Sequence, residues 1–266
     1  MLSSNSRFIS MAEVNPPPLP NNTHLLLDGA WNHVLVTDNV FGRIRVSPYA
    51  YSARITHDVP SVSPTVVVST RDRNILAIES EVRGALGNGV DSFLIVVGDT
   101  IPHVEHLAGR LEIVKHLRTL QESLPDFEVG SPTSFSAKAK QRHIDDGAQF
   151  LVAGPLLDPS TVGHYIDKLE LQPDDPPVFV MVIPPFSTRW IDRMQGIGAR
   201  SVTDDLRHRL DAVPDPTTRR EIAWEASRQA AAAAEEAGAA GTILMGLRFD
   251  TIIDEAALAW SDLSSN

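Results

Sequence analysis

Eight short runs rich in Val, Ile, Leu and Phe punctuate this chain, and each is closed by polar or turn residues. They are Phe8–Val14, His33–Asp38, Thr65–Thr70, Ser92–Asp99, Phe127–Ser131, Gln149–Gly154, Val178–Ile183 and Thr242–Leu247. Most are nearly continuous in apolar character rather than alternating, the pattern of parallel strands buried on both faces. Helical periodicity fills the spaces between them. Arg73–Leu86 brings Ile75, Ile78, Val82 and Ala85 near one face, and Val104–Leu124 repeats Leu107, Leu111, Val114, Leu117 and Leu120. Ala137–Asp146 is shorter and polar, and Ser160–Leu169 opens on a serine that could cap it. Two helices, Trp190–Gly196 and Thr203–Leu210, fit before a long alanine-rich one, Thr218–Ala237, which Ile222 and Trp224 can anchor and Gly238 ends.

Strand–helix alternation on this scale predicts a closed (β/α)8 TIM barrel, and the 266 residues match the ~250 typical of that fold. An open doubly wound sheet is the alternative. Against it, the first strand runs into Pro16-Pro17-Pro18-Leu19-Pro20 where a dinucleotide-binding fold needs a glycine-rich turn. No Pro/Gly/Ser linker divides the chain, so a single domain over 1–266 is expected, with 1–6 and 261–266 as frayed ends.

Composition removes several functions. A net charge of −11 argues against nucleic acid or an anionic membrane as partner, and is compatible with a homo-oligomer. With no cysteine there is no disulfide, thiolate nucleophile or Cys-bound metal. The apolar run Phe93–Val97 is far shorter than the ~20 residues of a membrane span, and Met1–Arg7 lacks the apolar stretch of an export signal. A cytoplasmic location is therefore expected. None of Lys115, Lys138, Lys140 and Lys168 falls on a predicted strand, which disfavours Schiff-base chemistry. His103 and His106 have nothing else at ligand spacing and read as a solvated helix start.

In a barrel, function collects at the carboxyl ends of the strands. There the sequence places Glu13, then Thr37 and Asp38, Arg71 and Asp72, Gly98 and Asp99, Ser131, Gly154, and Pro184-Pro185-Phe186. Asp38, Asp72 and Asp99 could equally be helix caps or loop anchors. Glu13 differs, because a lone Glu in an apolar strand before a proline run gains nothing structurally.

The ordered motifs Ala12-Glu13-Val14-Asn15-Pro16-Pro17, Val34-Leu35-Val36-Thr37-Asp38-Asn39, Ser69-Thr70-Arg71-Asp72-Arg73-Asn74, Val97-Gly98-Asp99, Asp146-Gly147-Ala148-Gln149-Phe150 and Leu156-Leu157-Asp158 resemble the methylenetetrahydrofolate reductases. The resemblance runs from about residue 8 to 250. It implies a (β/α)8 barrel holding FAD across the strand ends, with NADH or NADPH reducing the flavin and hydride passing to a folate-bound one-carbon unit. It further implies that Glu13 is the general acid and Asp99 a catalytic and flavin-side negative charge. Thr37, Gly98 and His143 would lie at the cofactor and Gly154 at the substrate. Arg71 reads either as anchor for an anionic tail of the substrate or as a structural partner of Asp38 or Asp72, and Phe186 and Trp190 either stack on a pterin or nicotinamide or pack into the core. Ala153-Gly154 replaces the family's Thr-Gln, His143 its lysine, and Gly246-Leu247-Arg248-Phe249 its His-Phe-Tyr, while Gly130-Ser131-Pro132-Thr133 keeps only the proline of an aromatic-proline-acidic run. Two other readings stay open. One is a divalent-metal lyase or aldolase with Glu13, Asp38, Asp72 and Asp99 around Mg²⁺ or Mn²⁺. The other is a non-catalytic subunit that binds a folate or methyl carrier.

Overall fold

The computed structural model describes residue 2 and residues 7–29, 31–99, 108–196, 198–200 and 202–246. Eight strands, β1 (Ile9–Val14), β2 (His33–Val36), β3 (Ser63–Ser69), β4 (Ser92–Val96), β5 (Glu128–Thr133), β6 (Phe150–Leu156), β7 (Val178–Val182) and β8 (Gly241–Leu244), pair in parallel with their sequence neighbours. β8 returns to β1, with Ile9 opposite Gly241, and the barrel closes. This is the (β/α)8 barrel the sequence predicts.

The helices are α1 (Pro48–Asp58), α2 (Ile75–Leu86), α3 (Arg110–Leu120), α4 (Ala137–Asp145), α5 (Val162–Asp167), α6 (Thr188–Gly196), α7 (Asp204–Asp211) and α8 (Pro216–Glu236). The three helices the sequence places between β7 and β8 are present, whereas among the described residues only a short 3-10 turn, Thr23–Leu27, lies between β1 and β2. α1 escapes a periodicity reading because its buried face is built of Tyr49, Tyr51, Ser52 and Ile55 rather than an aliphatic stripe. β4 stops at Val96 rather than Asp99, and β5 continues to Thr133. Asp158, not Ser160, caps the helical segment after β6, its Oδ1 accepting from the Ser160 amide at 3.0 Å. His103, His106, Arg248 and Phe249 lie outside the described residues.

Alternation along each strand separates two cores. Ile9, Met11, Leu35, Val67, Leu94, Phe150, Val152, Phe179 and Ile243 fill the barrel interior. Outward-facing Val34, Val36, Leu151 and Val180 pack beneath α1, α5 and α8, and Val66, Val68 and Ile95 beneath α2 and α3. Phe150 and Phe179 meet edge to face at 6.2 Å, a favoured aromatic geometry. Gly130 makes room for them, since any side chain there would fall inside the Phe150 ring. In α8, Ala223, Ala226, Ala230, Ala231 and Ala234 are buried, and their small side chains let the long helix lie close to the barrel. At the amino-terminal floor Leu2 is 3% exposed and joins the interior core, its amide donating to Glu128 Oε2 at 2.6 Å.

Candidate functional site

Glu13 is the last inward residue of β1 before the chain leaves the barrel, two positions beyond the core residue Met11. It is 8% exposed. The Asn15 side-chain amide donates to its Oε1 at 3.5 Å, and the Gly246 amide, just past β8, donates to the same carboxyl. Neither donor offsets the loss of water. Burial is the largest influence and the Asp99 charge adds to it, so the Glu13 pKa rises from 4.5 to about 7. At neutral pH this carboxyl divides between a proton donor and a base.

The partners of Glu13 are themselves fixed. Thr37, on the inward face just past β2, donates its hydroxyl to Asn15 Oδ1 at 2.8 Å and also approaches the Val14 carbonyl at 3.3 Å. The first of these bonds points the Asn15 NH2 toward Glu13. Opposite, the Trp190 ring packs 3.2 Å from where a Gly246 side chain would begin, held by an Nε1 bond to the Pro184 carbonyl at 3.0 Å. Trp190 thus stands at the mouth where an aromatic wall is expected, while Asn15 and Gly246 are site residues to which the sequence assigns no role. Asn15 could have been found by its two-residue offset from Glu13; the Gly246 contact is made by backbone and leaves no sequence signal.

Asp99 lies in the loop after β4 and accepts the Phe41 amide at 2.5 Å. Gly98 precedes it, so Glu13, Thr37, Gly98 and Asp99 gather at one rim. The other expected site residues are committed elsewhere. Arg71 is buried and spans two loops, donating to the Asp99 carbonyl at 3.2 Å and the Asn39 carbonyl at 3.1 Å, with Asp72 at 3.8 Å. It ties the two loops of the mouth together. Phe186 packs edge to face on Trp224 of α8 at 5.4 Å. His143 sits on α4 in the helical layer, with Arg110, Arg142 and Asp146 as charged neighbours, and burial lowers its pKa. It therefore does not supply the cation that a lysine would bring to the mouth. Gly154 adopts φ +135° next to a cis Gly154–Pro155 bond, and a Cβ there would stand 2.8 Å from Met181 Cβ. The position where the resembled family has glutamine thus admits only glycine.

The four-carboxylate metal set also separates. The Asp38 side chain is buried, pairs with Arg73 and accepts the Ser69 amide at 3.2 Å, while the Asp72 side chain is 54% exposed. Arg73 in turn meets Glu81 at 3.2 Å and lies 5.9 Å over the Tyr49 ring. Of the other three, Asp99 adds to the rise of the Glu13 pKa. Among the described residues no group of three or more His, Cys, Asp or Glu could hold a metal ion.

No family model matches the sequence, and no curated protein is similar enough to match it. Solved structures do resemble it in fold. One is an uncharacterized protein from Clostridium thermocellum that binds two copies of 5-methyl-5,6,7,8-tetrahydrofolic acid, with a TM-score of 0.64 at 14% identity over 98% of this chain and 96% of that one. Another is 2,3-dimethylmalate lyase, of the PEP mutase/isocitrate lyase superfamily (TM-score 0.56, 12% identity, 97% of this chain and 81% of that one). A third is oxaloacetate acetylhydrolase in complex with 3,3-difluorooxalacetate (TM-score 0.57, 11% identity, 99% of this chain and 82% of that one). These likenesses establish the barrel fold. Among the described residues no helix is long and apolar enough to cross a membrane.

Proposed function

We propose that the barrel mouth binds a reduced folate and that Glu13 hands a proton to a nitrogen of its pterin ring. The observation that carries this reading is the buried Glu13 carboxyl, which beside Asp99 keeps its proton up to about pH 7 where a free carboxyl would be ionised. A protonated pterin is cationic, and the Asp99 carboxylate would stabilise it electrostatically. Trp190 offers an aromatic wall beside the backbone that holds Glu13. The folate-binding barrel from Clostridium thermocellum, which matches this chain almost end to end, supports the ligand class.

Titration of 5-methyltetrahydrofolate into the protein by calorimetry tests the reading. Binding is expected to weaken as pH rises through about 7, where Glu13 loses its proton, and Glu13→Gln is expected to flatten that dependence. Absence of binding at any pH from 6 to 8 (roughly one unit either side of that value) would remove the folate from this site.

Hydride transfer from NADH or NADPH through FAD would extend the same reading to a reductase. The residues present do not fit the flavin as the resemblance would place it, since Thr37 spends its hydroxyl on Asn15 and Val14 and His143 stands in the helical layer. A visible flavin spectrum in the purified protein, or oxidation of a nicotinamide with methylenetetrahydrofolate, is the measurement that would restore it.

A lyase is the second reading, favoured by the likeness to 2,3-dimethylmalate lyase and oxaloacetate acetylhydrolase. Ionised Glu13 would then serve as the base and Asp99 as its charged neighbour. Cleavage of oxaloacetate or a substituted malate by the purified protein, lost in Glu13→Gln, would favour it over the folate reading.

A further inference from the structure

We infer that Arg43 and Arg45 anchor the carboxylate-bearing tail of the ligand whose pterin end occupies the Glu13 pocket. This rests on the folate reading above and adds where the rest of the molecule lies. The loop that carries the two arginines is pinned beside the site. Asn39 and Phe41 take left-handed backbone angles, φ 46° and 55°, and a 3-10 turn, Val40–Gly42, lies between Asn39 and Arg43. The Phe41 amide bonds Asp99 Oδ2 at 2.5 Å, Asn39 Oδ1 accepts the Arg45 amide at 2.8 Å, and the Val46 amide bonds the Pro17 carbonyl at 2.9 Å. Arg71 fastens the same loop through the Asn39 carbonyl.

On this fixed loop the exposed side chains alternate in character. Phe41 is 48% and Ile44 87% exposed, with Arg43 exposed between them and Arg45 half-buried after them. Among the described residues neither guanidinium has a carboxylate or hydrogen-bond partner, whereas Arg71 and Arg73 at the same mouth are both occupied. In a chain of net charge −11, two unspent arginines beside two exposed apolar side chains form a local exception to the acidic surface. An aromatic body ending in carboxylates matches both halves of that surface, because the guanidinium fork suits carboxylate oxygens and the apolar side chains suit a ring. The benzoyl-glutamate portion of a folate has this chemistry.

The experiment compares tetrahydropteroate, which lacks the glutamate, with tetrahydrofolate and its triglutamate by calorimetry at low and moderate salt. The wild-type protein is expected to favour the triglutamate over tetrahydropteroate by about tenfold at low salt, and less at moderate salt, as exposed charge pairs do. R43A/R45A is expected to reduce that ratio to about twofold or less, and R43E/R45E to invert it. Equal affinity of the wild type for all three, or a tail preference that survives R43E/R45E, overturns the tail anchor while leaving the pterin site standing. Failure of all three ligands to bind overturns both.

Discussion

Burying a carboxyl costs far more free energy when it is ionised than when it is neutral, and that gives Glu13 a measurable signature in stability. Its pKa stands at about 7 in the folded protein against 4.5 for the free group, so between those values the folded state binds more protons than the unfolded one. Stability from this residue is therefore lost as pH rises from about 4.5 and is fully lost above about 7. At 1.36 kcal/mol per pH unit the cost at pH 8 is on the order of 3 kcal/mol. Glu13→Gln, which keeps the shape and cannot ionise, is expected to melt close to the wild type at pH 4.5 and several degrees above it at pH 8. Equal melting temperatures at both pH values would mean that Glu13 is already solvated. The residue was legible in the sequence because a charged side chain inside an apolar strand has no structural reason to be there. Arg71 and Phe186 were not, since sequence does not reveal whether a long side chain is spent on two loop carbonyls or a ring on a neighbouring helix.

Strands and their connections tell a similar story. Continuous apolar runs located every strand to within a few residues, because a strand buried on both faces has almost no freedom in composition. Helix α1 was lost because tyrosine and serine can form an inner face as well as leucine can when the space over the strands suits them. The end of β6 shows where chemistry and backbone compete. The chain bends there with a register shift between Ala153 and Leu156, and the turn brings Gly154 against Met181. Gly154→Ala is expected to destabilise the fold by at least about 2 kcal/mol, from its left-handed angle and the overlap together, as read by urea denaturation. Tolerance of alanine would show that β6 relaxes, and that the missing glutamine reflects a choice of ligand rather than a constraint of backbone.

The barrel as a whole was legible because alternation and chain length leave few architectures open. The packing of Leu2 into its floor was not, since nothing in the sequence marks Leu2 as an interior residue. Leu2→Ala is expected to cost about 2 kcal/mol and to speed amide exchange at the amino-terminal strand ends, with exchange near Glu13 following only the global change. Uniform acceleration throughout would mean that the floor and the mouth open together. With Leu2 below and nine buried interior side chains stacked above it, the described barrel is filled from its floor toward the mouth. Glu13 stands at the upper end of this packed column. A ligand seated at the mouth would screen the carboxyl from solvent, so the occupant would set the clock for proton exchange at the site it fills.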